Sequence, residues 1–125
     1  MSWLLDTDVL CQPAKRNGDP RVIAWLRTEK DECYTSAVVI AQLAYWVRNK
    51  QGRRSAELQA WLTRLIAAME GRIYGFNVGV AHVWADQEHL LKKVGQQMPV
   101  EDSYIAATAR KHGLTIVTGN DKDFL

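Results

Sequence analysis

The chain has 125 residues, which suits one domain spanning residues 1–125 and leaves no room for two. Hydrophobic residues make up 47% and exclude a disordered chain, while a net charge of +2 permits contact with nucleic acid without arguing for it. No run approaches the roughly eighteen apolar residues of a membrane span. The start Met1-Ser2-Trp3-Leu4-Leu5-Asp6 lacks the basic and apolar regions of a signal peptide, so a cytoplasmic protein with no membrane association is expected.

Trp3-Leu4-Leu5 is a short apolar run ending at Asp6, as in a strand buried on both faces. Asp19-Pro20 reads as a helix cap and first helical residue, followed by Val22, Ile23, Trp25 and Leu26 on a short helix. Cys33-Tyr34-Thr35 predicts a second strand, and Ser36 caps a helix carrying Val39, Leu43, Trp46 and Val47 at helical spacing. The basic stretch from Arg48 to Arg54, with Gly52, reads as a solvated turn. A helix over 55–69 follows, with Leu58, Trp61, Leu62, Leu65 and Ile66 on one side. Gly71 ends it, and Ile73-Tyr74-Gly75-Phe76 reads as a third strand. Val80 to Val94 marks a long amphipathic helix closed by Gly95. Residues 101–112 form another, with a tight face of Ala106, Ala107 and Ala109 and a stop at Gly113. Leu114-Thr115-Ile116-Val117 is the clearest strand.

Apolar strands alternating with helices imply an α/β fold, a central parallel sheet flanked by helices on both faces. Right-handed crossovers then gather the carboxyl ends of the strands at one edge, although the pattern leaves strand order open.

At that edge the acids become informative. Asp6 ends the first strand, Asp102 opens the helix before the last strand, and Thr118-Gly119-Asn120-Asp121 follows that strand. An aspartate in such a place is frequently only a cap or turn residue. Asp6 is the least ordinary, because a charge bordering an apolar parallel strand is costly unless paired. Carboxylates crowded into one crevice repel, and a bound cation relieves them. An oxygen-only set suits a hard ion, Mg²⁺ or Mn²⁺ as its substitute. Such an ion polarises a phosphoryl oxygen and acidifies a bound water, which is what phosphodiester hydrolysis requires.

Four segments in order resemble the PIN-domain ribonucleases, the VapC-type toxins of type II toxin–antitoxin systems: Leu4-Leu5-Asp6-Thr7-Asp8-Val9-Leu10, Thr35-Ser36-Ala37 through Leu43, Pro99-Val100-Glu101-Asp102 through Ala109, and Leu114-Thr115-Ile116-Val117 through Phe124. The resemblance implies a PIN-like three-layer domain and a Mg²⁺-dependent endoribonuclease that cuts structured RNA such as tRNA. It also implies a VapB-like antitoxin partner, which docks on the helices after the second strand, and a homodimer. By position, Asp6 and Asp102 match metal-binding acids of the family. Asn120 stands where the family carries Asp or Asn, and Asp121 beside it is a second source of charge.

The resemblance departs at one position. The family has glutamate in an Ala-Glu-Leu segment, and this chain reads Ala41-Gln42-Leu43. Glutamine keeps an oxygen but removes a charge, which weakens affinity for a hard cation. A degenerate toxin, compensation by Asp8 or Asp121, and an engineered change are the three possible origins. The family usually continues for a short segment past the Asp-Phe of its last motif, whereas this sequence ends at Leu125.

Two alternatives belong to other classes. A PIN domain that has lost catalysis would keep only its antitoxin-binding and dimer surfaces. A haloacid dehalogenase-type phosphatase would share the opening Asp6-Thr7-Asp8-Val9. His82 and His89 are seven apart rather than at the i, i+4 spacing of helical metal ligands, and His112 suits a helix dipole. Cys11 and Cys33 read most plainly as buried free thiols, with a disulfide left open.

Overall fold

A computed structural model of the chain describes residues 1–119; Asn120 and Asp121 therefore lie outside the described residues. Among the described residues, four short strands form the sheet: β1 (Trp3–Leu5), β2 (Cys33–Ser36), β3 (Ile73–Tyr74) and β4 (Thr115–Val117). Their order is β3-β2-β1-β4 and every pair is parallel. The sheet thus grows in one direction from β1 to β3 and returns to the other side of β1 with β4. The reversal creates a switch point between β1 and β4, the place where such sheets open a crevice at their carboxyl edge. Pairing Leu5 with Val117 brings residues 6 and 118 side by side beyond the ladder.

Among the described residues, six α-helices flank the sheet: α1 (Thr7–Leu10), α2 (Pro20–Thr28), α3 (Ala37–Arg48), α4 (Gly52–Ala68), α5 (Val78–Lys93) and α6 (Val100–His112). This is the three-layer α/β architecture expected from the alternating pattern. Leu4 and Leu5 are buried, and they share one core with Val39, Leu43 and Val47 of α3, Leu58 and Leu62 of α4, and Ile105 of α6. Each such side chain contributes about 1.5–3 kcal/mol of burial free energy. The spacing Val39, Leu43, Val47 puts one apolar stripe of α3 into that core.

Local signals explain where the elements begin and end. The Ser36 hydroxyl accepts the Val39 N–H at 3.2 Å and starts α3, and the Asp19 carboxylate accepts the Arg21 N–H at 2.9 Å before Pro20 opens α2. Gly113 ends α6 at φ 66°, a left-handed conformation that costs glycine little.

Two expectations need correction, and one element is new. The stretch from Arg48 to Arg54 is not all turn: α4 begins at Gly52, so Arg53 and Arg54 lie in its first turn. Gly52 has φ 67° and bends the chain directly into the helix instead of continuing a loop. The third strand is only Ile73–Tyr74, because Gly75 and Phe76 gain no ladder partner at this edge of the sheet. The short helix α1, directly after Asp6, was not legible as a helix at all; it is held by Asp6, whose side chain accepts the Thr7 N–H.

Cys11 and Cys33 are buried free thiols, and burial pushes the Cys33 thiol up to about 11. Among the described residues, no helix is long and apolar enough to cross a membrane.

Candidate metal centre at the sheet switch point

Asp6 leaves β1 with its backbone N–H still bonded to the Val117 carbonyl at 3.0 Å, so the ladder to β4 extends one step into the site. Its side chain is only 5% exposed. A buried carboxylate needs donors, and two are in place. Oδ1 accepts the Thr7 N–H at 2.8 Å, and Oδ2 accepts the Thr118 hydroxyl at 2.8 Å. The parallel pairing of β1 and β4 makes the second bond possible between residues 112 apart in sequence. The Thr35 hydroxyl donates to the Leu5 carbonyl at 3.0 Å and steadies the same strand end from β2.

Asp6 opens onto a crevice of about 410 Å³ lined by Thr7, Asp8, Lys15, Gln42, Trp46 and Asp102, with Cys11 at its base. Five segments meet there: the end of β1, α1, the loop after α1, the middle of α3 and the first turn of α6. Asp102 sits where the unpaired N–H groups of α6 favour negative charge. Burial, more than any nearby charge, raises the Cys11 thiol above its ordinary value, which keeps it neutral beside the acids.

Asp8 faces the same crevice, but its Oδ2 accepts the Gly119 N–H at 2.7 Å. A side chain at position 119 would push Asp8 aside, since a Cβ there would lie 2.4 Å from Asp8 Oδ2. Gln42 is held at both ends. Its Oε1 accepts a short bond from the Thr7 hydroxyl, and its Nε2 donates to Glu101 Oε2 at 2.6 Å.

The structure therefore brings Asp6, Gln42 and Asp102 to one crevice, as their sequence positions imply. Three partners were missed from sequence: Thr7, Thr118 and Glu101. Thr118 was visible as a polar residue directly after the last strand, and Glu101 as the acid adjacent to Asp102.

His82 and His89 are both exposed. His112 lies in the last turn of α6; its ring stacks on Tyr74 with centroids 3.5 Å apart, and burial, with a smaller effect of Lys111, lowers its pKa. In the basic stretch, Lys50 lies over the ring of Trp46, itself a lining residue of the crevice, at 5.4 Å from its centroid. Arg54 donates instead to the Ala14 carbonyl and pairs with Glu57 at 3.7 Å.

A hard cation fits the oxygens of Asp6, Thr7, Asp8, Gln42 and Asp102 in this lining, which also holds Cys11, Lys15 and Trp46. Among the described residues, no three His, Cys, Asp or Glu side chains gather closely enough to hold an ion by themselves. The Gln42 amide oxygen is a further oxygen at the crevice.

Residues 3–125 match the PIN domain family. The chain belongs to that family. It is 34% identical to Toxin FitB of Neisseria gonorrhoeae over 97% of this chain and 89% of that protein. It is 31% identical to the VapC ribonuclease Y4jK of Sinorhizobium fredii, with the same shares covered. The crystal structure of FitAcB from Neisseria gonorrhoeae superposes with a TM-score of 0.90 at 33% identity, covering 97% of this chain and 89% of that one. This PIN domain thus falls among the VapC-type toxins. Its acidic crevice lies at the switch point and includes Gln42.

Proposed function

We propose that this PIN domain is a metal-dependent endoribonuclease toxin, that it cleaves structured RNA such as tRNA, and that a cognate VapB-like antitoxin restrains it. The observation that carries the reading is the buried Asp6 carboxylate opening onto a crevice shared with Gln42 and Asp102. Asp6 and Asp102 would hold Mg²⁺, with Mn²⁺ as substitute, and Gln42, Asn120 and Asp121 would complete the catalytic set. The ion, when bound, supplies charge for the scissile phosphate and a water of lowered pKa. The protein's part is positional. Thr7 and Thr118 hold the Asp6 oxygens, and the first turn of α6 aims Asp102 into the same space. Lys15, and Lys50 over Trp46, would contact backbone phosphates beside the acids.

The antitoxin reading is supported by the toxin relatives and by the FitAcB structure. An apolar groove of about 340 Å³ between α2 and α4, lined by Leu10, Leu26, Trp61 and Leu65 with Lys30 and Arg72 at its edge, suits an amphipathic antitoxin segment. A homodimer would cover some of the exposed Tyr45, Val78, Leu90, Val94 and Val100.

The deciding experiment is cleavage of total tRNA by the purified protein in Mg²⁺ and in EDTA, with Asp6→Ala as control. Cleavage that needs the metal and Asp6 supports an active toxin. A protein that binds its antitoxin but cuts no RNA under any of these conditions is the degenerate domain. Hydrolysis of p-nitrophenyl phosphate that depends on Asp6, without RNA cleavage, would instead mark a phosphatase.

A further inference from the structure

Gln42 removes a negative charge from the position where the family carries glutamate, and the structure contains a carboxylate against it. Glu101 Oε2 accepts the Gln42 Nε2–H at 2.6 Å across 59 residues of sequence. A carboxylate only accepts hydrogen bonds, so the amide must turn its NH₂ end to Glu101. The opposite end, Oε1, then faces Thr7, whose hydroxyl donates to it. Thr7 and Gln42 both line the acidic crevice, whereas Glu101 lines the adjoining cleft of about 470 Å³ with Gln42, Tyr45 and Tyr104. Gln42 is the wall between the two spaces. Its oxygen is on the acidic side and its nitrogen is on the other.

We infer that Glu101 is a positioning residue that makes Gln42 serviceable as an oxygen donor to the cation. The inference rests on the metal-centre reading above. A free glutamine could present either end of its amide to the crevice, and an NH₂ group turned toward a cation is repelled. The charged bond to Glu101 selects the productive orientation and polarises the amide so that Oε1 becomes a better donor. The charge missing at position 42 is thereby restored one hydrogen bond further from the ion. A neutral oxygen stands in front and a carboxylate behind, in place of a single glutamate.

The test is a calorimetric titration of Mn²⁺ into four proteins: wild type, Glu101→Gln, Gln42→Glu, and the double substitution. Glu101 is exposed, so its replacement should leave the fold intact, which a thermal melt checks. Loss of a partner behind a metal ligand costs about tenfold to a hundredfold in affinity, and Glu101→Gln is expected at about tenfold in the wild-type background. With glutamate at position 42 there is no amide to orient. The same substitution should then change affinity by no more than about twofold to threefold, the effect of one nearby charge in solvent. An equal loss in both backgrounds, or no loss in either, overturns the role of Glu101 while leaving the metal centre standing. Absence of Mn²⁺ binding in all four proteins overturns both.

Discussion

The Gly119 N–H donates to Asp8 Oδ2 at 2.7 Å, joining the first turn after β1 to the segment that leaves β4. The Thr118 hydroxyl reaches the neighbouring Asp6 in the same corner. Two residues near opposite ends of the chain thus lock the switch point together, and the lock depends on the small size of position 119.

Substituting Gly119→Ala should therefore act through Asp8. The added Cβ falls 2.4 Å from Asp8 Oδ2 and must displace that carboxylate, breaking the bond. A cost of about 0.5–1.5 kcal/mol is expected, the worth of one hydrogen bond, because the contact is exposed and the Asp8 side chain can move aside. Asp8→Ala alone loses the same bond, but in the double variant the clash has gone. Urea denaturation of the three variants should show the double costing clearly less than the sum of the singles. Strict additivity would mean that position 119 does not act through Asp8.

The basic wall of the crevice gives a second prediction. Lys15 lines the crevice, and Lys50 lies at 5.4 Å over the Trp46 ring that also lines it. If both meet backbone phosphates, Lys15→Ala and Lys50→Ala should each weaken RNA binding and reduce the salt slope of log affinity by about one. Fluorescence anisotropy with labelled tRNA at several salt concentrations measures it. A slope unchanged in both variants would place the RNA elsewhere.

His112 yields a pH dependence. Burial, and secondarily Lys111, lowers its pKa in the folded chain below the ordinary value of 6.5. The unfolded chain takes up a proton first as pH falls, so this contribution is present above about 6.5 and is lost as pH drops toward the folded value. His112→Phe keeps a flat ring on Tyr74 and removes the titration. Denaturant midpoints at pH 7.5 and 5.5 should differ less in the variant than in wild type. An equal difference would assign the acid sensitivity to other groups.

Much of the architecture was legible because the strands are apolar without alternation and the helix boundaries carry recognisable caps, such as Ser36 before α3 and Gly113 after α6. Strand order was not, because parallel strands joined by helices do not pair according to sequence neighbours; β4 reaches β1 only through the fold. Gly52 misled the reading of the basic stretch, since a glycine that bends into a helix looks the same in sequence as one that continues a turn. In the site, Asp6 stood out as a charge against an apolar strand. Glu101 did not: an acid in a helix's first turn is ordinary there, and only the tertiary contact of α3 with α6 reveals its bond to Gln42.

The central claim is that one divalent cation is held between the carboxylates of Asp6 and Asp102. Mn²⁺ titration of wild type, Asp6→Asn and Asp102→Asn tests it most directly, since asparagine keeps the shape and an oxygen while removing the charge. Wild type should bind a single ion, and each variant should lose more than about tenfold in affinity. Binding of equal strength in all three proteins would contradict the account.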